Sequence, residues 1–168
     1  APYNKSWSAR LTIDLTNLPD GQTYYFNLDK WDELKHNLGV AQGVVIKKLD
    51  NQKVVFNLSS NDGYTLEKYE IQNKLSNGTI RTIGSDTLGG TTTTDTDVIE
   101  DVIFNYTGTG KLTLQNTAGV FIAPKATVEL QGSSGGWVVC NNFINHNGKE
   151  WHFTYGKVRV NTSSKIEA

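Results

Sequence analysis

The chain has 168 residues and a formal net charge of -1, enough for one domain and without the basic footprint that nucleic acid or anionic lipid requires. No apolar run approaches the ~20 residues of a membrane span, so membrane insertion through a helix is excluded. A single cysteine, Cys140, excludes an internal disulfide, and with no methionine and plentiful Asn, Thr and Gly the composition fits an extracellular protein.

In chain order, Ala1-Pro2-Tyr3-Asn4 lacks the charged and apolar regions of a signal peptide, an absence that does not exclude secretion. Leu11 to Leu15 alternates apolar and polar residues, which predicts a half-buried strand. Asn17 to Gly21 carries turn chemistry, and Thr23 to Leu28 is an aromatic-rich second strand. A packing helix is predicted over residues 29–38, capped by Asp29, with Trp31, Leu34 and Leu38 on one face and Gly39 as its stop.

Val44-Val45-Ile46 and Lys53 to Leu58 are further strands, with Asp50-Asn51 between them as a hairpin signal. Asn61-Asp62-Gly63 turns the chain, Tyr64 to Ile71 alternates weakly, and Asn77-Gly78 leads into Thr79 to Ile83. Residues 91–101 complete a threonine- and aspartate-rich polar loop expected to project into solvent.

The C-terminal half repeats. Val102-Ile103-Phe104-Asn105, Val120-Phe121-Ile122-Ala123 and Val138-Val139-Cys140-Asn141 recur at a spacing of 18. Lys111-Leu112-Thr113-Leu114 lies between the first two, and Glu129-Leu130-Gln131, within Thr127 to Gln131, is its counterpart at the same offset. Two short strands per period, separated by Gly, Asn and Pro turns, predict β-solenoid rungs over residues 102–153. The pattern places Val102, Val120 and Val138 in one ladder and Ile103, Phe121 and Val139 on the opposite face. An evenly spaced antiparallel β-sandwich is the alternative. Either way the chain reads as mainly β and as a single domain over 1–168, with strands and the short helix in 11–90.

The order Gly119-Val120-Phe121-Ile122-Ala123-Pro124-Lys125-Ala126-Thr127-Val128-Glu129-Leu130, then Gly132 to Gly136, Trp137-Val138-Val139 and a closing Glu150-Trp151-His152, resembles the choice-of-anchor A adhesive domain of Gram-positive bacterial surface proteins. The resemblance is strong over the last third and loose over 11–97. It implies a β-helix-like module displayed outside the cell, attached to the cell wall through a separate anchor, whose partner is a host protein or glycan. It also implies an additional N-terminal strand region that this chain lacks, as a truncated or processed piece would.

Candidate chemistry divides by residue type. Cys140 next to a suitably placed Gln115 or Gln131 is the pair an internal thioester needs, but a free cysteine is more often a small core hydrophobe. Glu150 and His152, with His146 nearby, carry acid–base or zinc-ligand chemistry, yet no spacing supplies a full ligand set, and a structural pair closing the last rung is the better expectation. Asp95, Asp97, Glu100 and Asp101 offer hard oxygen ligands for calcium but lack the glycine and distal glutamate of a calcium loop, so a solvated acidic loop competes. Among the aromatic residues Trp7, Tyr24, Tyr25, Trp31, Tyr64, Tyr69, Trp137 and Trp151, Trp137 beside Gly135-Gly136 is the candidate for exposure, with Trp151, His152 and Glu150 completing a ligand-binding set.

Five Asn-x-Ser/Thr sites, at Asn4, Asn57, Asn77, Asn105 and Asn161, matter only in a eukaryotic host. No nucleophile elbow, phosphate loop or zinc-protease helix is present, so the reading is a non-enzymatic binding module. A carbohydrate-binding or carbohydrate-active domain and a structural stalk are the competing readings.

Overall fold

The computed structural model describes residues 11–28, 44–66, 69–83, 96–145 and 148–153. The predicted helix over 29–38, with Trp31, lies outside them, as do Trp7, Asp95 and His146. Twelve strands and one short helix are described: β1 (Leu11–Asp14), β2 (Thr23–Leu28), β3 (Val44–Leu49), β4 (Lys53–Leu58), β5 (Tyr64–Leu66), β6 (Tyr69–Lys74), β7 (Ile80–Ile83), α1 (Thr96–Glu100), β8 (Val102–Tyr106), β9 (Leu112–Leu114), β10 (Ala118–Leu130), β11 (Ser134–Asn145) and β12 (Trp151–Phe153). Every strand pairing is parallel except β6 with β7. Apart from the β6–β7 hairpin, each strand pairs in parallel with the turn of chain above or below it, which is a β-solenoid and not the antiparallel sandwich.

Sheet A has the order β1-β3-β6-β7, and sheet B the order β12-β11-β10-β8-β4-β2. Beyond a corner, the second halves of β10 and β11 continue with β9 and β5 as a further face. The solenoid is not confined to the C-terminal half, because β1, β3 and β6 and also β2 and β4 stack in parallel register.

Two turns with similar sequence signals behave differently. At Asn77-Gly78 the glycine adopts a φ of 85°, and the chain folds back as the β6–β7 hairpin. At Asp50-Asn51 no residue reaches positive φ, and β3 and β4 do not pair with each other. The expected hairpin there is instead a corner. Gln52 holds it: its side chain is buried, accepts from the Leu49 amide at 2.7 Å and donates to the Leu15 carbonyl at 2.8 Å.

The repeat is 17 residues on sheet B, not 18. Ile103 sits opposite Val120 and Val120 opposite Trp137, while Phe104 sits opposite Phe121 and Phe121 opposite Val138. The predicted ladder of Val102, Val120 and Val138 is therefore corrected. Side chains alternate with a period of two, so a one-residue difference in register moves a residue to the other face. Val120 points outward, and the inner ladder is Phe26, Phe56, Phe104 and Phe121, with ring centroids 5.3, 5.2 and 5.4 Å apart and planes within 26° of parallel. Those distances follow the ~4.8 Å strand spacing, and offset stacking makes each rung bury the aromatic ring of the next.

The Ala123-Pro124-Lys125-Ala126 segment makes the corner. Four residue steps from Ala123 to Thr127 in β10 match only two, Cys140 to Asn142, in β11, so β10 bulges there. Proline fits because a bulge has no ladder bond for its missing N–H, and the flanking Ala123 and Ala126 are fully buried where larger side chains would not turn inward.

The segment predicted as a polar loop over 91–101 contains α1 at its end. Val98 and Ile99 are buried, at 2% and 0% exposure, and anchor it against β8, β10 and β11. Two adjacent apolar residues in a threonine- and aspartate-rich stretch were the signal for that anchor.

Candidate adhesive face

Five strands of sheet B, β2, β4, β8, β10 and β11, present a continuous outer surface. Register places Tyr25, Val55, Ile103, Val120 and Trp137 in one row across them. Two residues further along each strand lies a second row, Asn27, Asn57, Asn105, Ile122 and Val139. Four strand gaps of ~4.8 Å make each row about 19 Å long, and the rows stand about 7 Å apart. Tyr25, Val139 and Trp137 are 65%, 56% and 46% exposed, and the residues between them are partly exposed.

Parallel strands impose this regularity, because identical positions of successive turns fall in line. The asparagines form an amide ladder: Asn57 Nδ2 donates to Asn27 Oδ1 at 2.9 Å, and Asn105 Nδ2 donates to Asn57 Oδ1 at 3.0 Å. Those bonds satisfy amides among themselves and fix their orientation. Trp137 is also held, its indole N–H donating to Glu100 Oε1 at 3.1 Å. Within β11 it follows Gly136, whose φ of 113° and contact with the Gly119 carbonyl leave no space for a side chain.

The other predicted residues are dispersed. Trp151 packs edge-on against Phe121 and Phe143, with centroids 6.2 and 5.7 Å away, so it belongs to the end of the core more than to the outer row. His152 Nε2 lies 3.1 Å from Glu150 Oε2, but off the N–H axis needed for a hydrogen bond. The pair sits on β12 and the residue before it, at the end of the sheet remote from Tyr25.

The acidic residues diverge as well. Asp101 is buried and lies 3.6 Å from Lys48 Nζ, while Glu100 receives Trp137. Among the described residues no three His, Cys, Asp or Glu side chains converge on a point that would hold a metal ion.

Cys140 stands opposite Ala123 and packs against the core, where burial pushes its thiol pKa up, away from the nucleophilic thiolate. Gln115 and Gln131 instead bond to each other at 3.2 Å.

Sequence reasoning missed Tyr25, Val55, Ile103 and Val120 as a row. Its signal was present: in each of these four strands the row residue immediately precedes a phenylalanine of the inner stack, at 26, 56, 104 and 121.

Comparison with protein families finds a match over residues 4–153 to the family described as "Putative Ice-binding-like adhesive domain". The chain belongs to this family. Comparison with curated proteins and with solved structures finds no match. Membership points to an adhesin-like role and a cell-surface or extracellular setting, and an adhesive role implies an external partner. No described helix is long and apolar enough to cross a membrane.

Proposed function

We propose that this domain is a cell-surface adhesin module of a Gram-positive bacterium that binds a host protein or glycan non-covalently through the outer face of sheet B. The observation that carries the reading is the row Tyr25, Val55, Ile103, Val120 and Trp137, an ordered apolar and aromatic strip bordered by the asparagine ladder. Exposed apolar surface on a rigid scaffold costs solubility, and a contiguous strip of it marks an interaction site. Tyr and Trp at its two ends supply ring faces for sugar or side-chain stacking, and few rotamers are lost on contact because the strands hold them.

The domain contributes the contact, and attachment to the wall belongs to a separate anchor. Calcium has no part in this reading, since Asp101 and Glu100 are already engaged by Lys48 and Trp137.

The test is binding of the whole chain to an array of host matrix proteins and glycans, with and without calcium. The expected result is a saturable, calcium-independent signal that is lost in a Tyr25→Ala, Trp137→Ala double variant. A blank array, or a signal untouched by that variant, contradicts the proposal and favours a structural stalk.

A further inference from the structure

The inner face of sheet A contains a buried lysine in a position that alternation reserves for an apolar residue. Val44, Ile46 and Lys48 share the inner face of β3, and Tyr69, Ile71 and Asn73 share that of β6. Register sets Ile46 opposite Ile71 and Lys48 opposite Asn73. Lys48 and Asn73 are both 0% exposed, and Asp101, just ahead of β8, is 6% exposed.

Lys48 Nζ lies 2.6 Å from Asn73 Oδ1 and 3.6 Å from Asp101 Oδ2. It also donates to the Asp50 carbonyl at 3.3 Å. The amide nitrogen of Asn73 is turned the other way and donates to Asp50 Oδ1 at 2.9 Å.

We propose that Lys48 and Asn73 condense to an intramolecular isopeptide bond, with Asp101 as the proton acceptor and Asp50 holding the departing amide nitrogen. A C=O bond is about 1.23 Å, so the Asn73 amide carbon lies no farther than about 3.8 Å from the lysine nitrogen, close to a near-attack arrangement.

Burial also favours the reactive amine. Desolvation pushes the Lys48 pKa down, and the neighbouring Asp101 and Asp50 only partly oppose it. An amine in such surroundings loses its proton more readily and becomes a nucleophile.

The step balances. The ammonium of Lys48 passes one proton to the Asp101 carboxylate. The neutral nitrogen attacks Asn73 Cγ, the C–Nδ2 bond breaks as the C–Nζ bond stays, and Nδ2 leaves as ammonia after taking a second proton from Nζ. Asp101 returns its proton to the ammonia. One ammonium ion is released, the buried positive charge disappears, and β3 is tied to β6 across 25 residues of sequence. For a module loaded from outside the cell, that tie closes one turn of the solenoid to unravelling.

The experiment is the intact mass of the denatured full chain, followed by peptide mapping. The expected mass is below the sequence mass by one ammonia, with a branched peptide joining Lys48 to Asn73. The Lys48→Met variant returns to the full sequence mass, and Asp101→Asn forms the link incompletely while the circular dichroism spectrum stays that of the parent. A parent chain at its full sequence mass overturns the proposal. So does an ammonia deficit that maps to a succinimide at Asn77-Gly78, or a loss of water that maps to Asp101.

Discussion

On the inner face of sheet B, Phe26, Phe56, Phe104 and Phe121 stack rung upon rung. One residue earlier in each of the same strands, Tyr25, Val55, Ile103 and Val120 form a row of comparable apolar character on the outside. Backbone, register and strand spacing are shared, so the contrast is one of environment alone. The inner rings lie in a core that excludes water and supply cohesion between rungs, whereas the outer row spends apolar surface on solvent. Folding explains the first row and not the second. The outer row needs a partner to explain it.

Substitutions should separate the two faces. The largest loss of stability is expected for Phe104→Ala, which removes a fully buried ring from the middle of the stack and should cost about 3–5 kcal/mol by urea denaturation. Gly136→Ala comes next, at roughly 2–3 kcal/mol, because it sets a side chain at positive φ against the Gly119 carbonyl. A denaturation midpoint within error of the parent would refute that steric reading of Gly136 in β11.

A smaller effect depends on pH. The Tyr69 hydroxyl donates to the Ala118 carbonyl, and full burial raises its pKa far above the ordinary 10.0. An unfolded chain releases that proton above pH 10 while the folded one keeps it. The contribution of Tyr69 is therefore complete below pH 10 and falls by roughly 1 kcal/mol between pH 10 and 11. Tyr69→Phe should flatten the stability profile in that window, measured against the parent at matched ionic strength. Least of all in stability, Trp137→Ala and Tyr25→Ala should each shift unfolding by about 0.5 kcal/mol or less, since both rings are exposed.

Much of this architecture was legible in the residues. Thr23 to Leu28, Lys53 to Leu58 and Val102 to Tyr106 were legible as strands from their aromatic and β-branched residues, and the repeated strand-turn unit pointed to a solenoid. The register was not legible. Copies matched at 18 fall one residue out of step with β8, β10 and β11, which pair at 17. The corner at Pro124, with two more residues in β10 than in β11, drops the offset again to 15, Thr127 facing Asn142. Asp50-Asn51 misled for a related reason: a corner and a hairpin need the same polar residues, and only positive φ at the turn separates them.

Lys48 escaped notice because charge suggests solvent, yet its parity with Val44 and Ile46 had already assigned it to the core. The candidate site suffered most. Its aromatic anchor Trp137 was visible beside two glycines, but its row partners become neighbours only when turns that are up to 48 residues apart in sequence, as Val55 and Ile103 are, stack one above the other.

The most direct test measures affinity and stability together, for the parent and the Tyr25→Ala, Trp137→Ala double variant, against whichever host protein or glycan the array identifies. The account predicts a loss of binding of about tenfold or more with an essentially unchanged unfolding midpoint. Undiminished affinity in the double variant would show that the outer face of sheet B is not the adhesive surface.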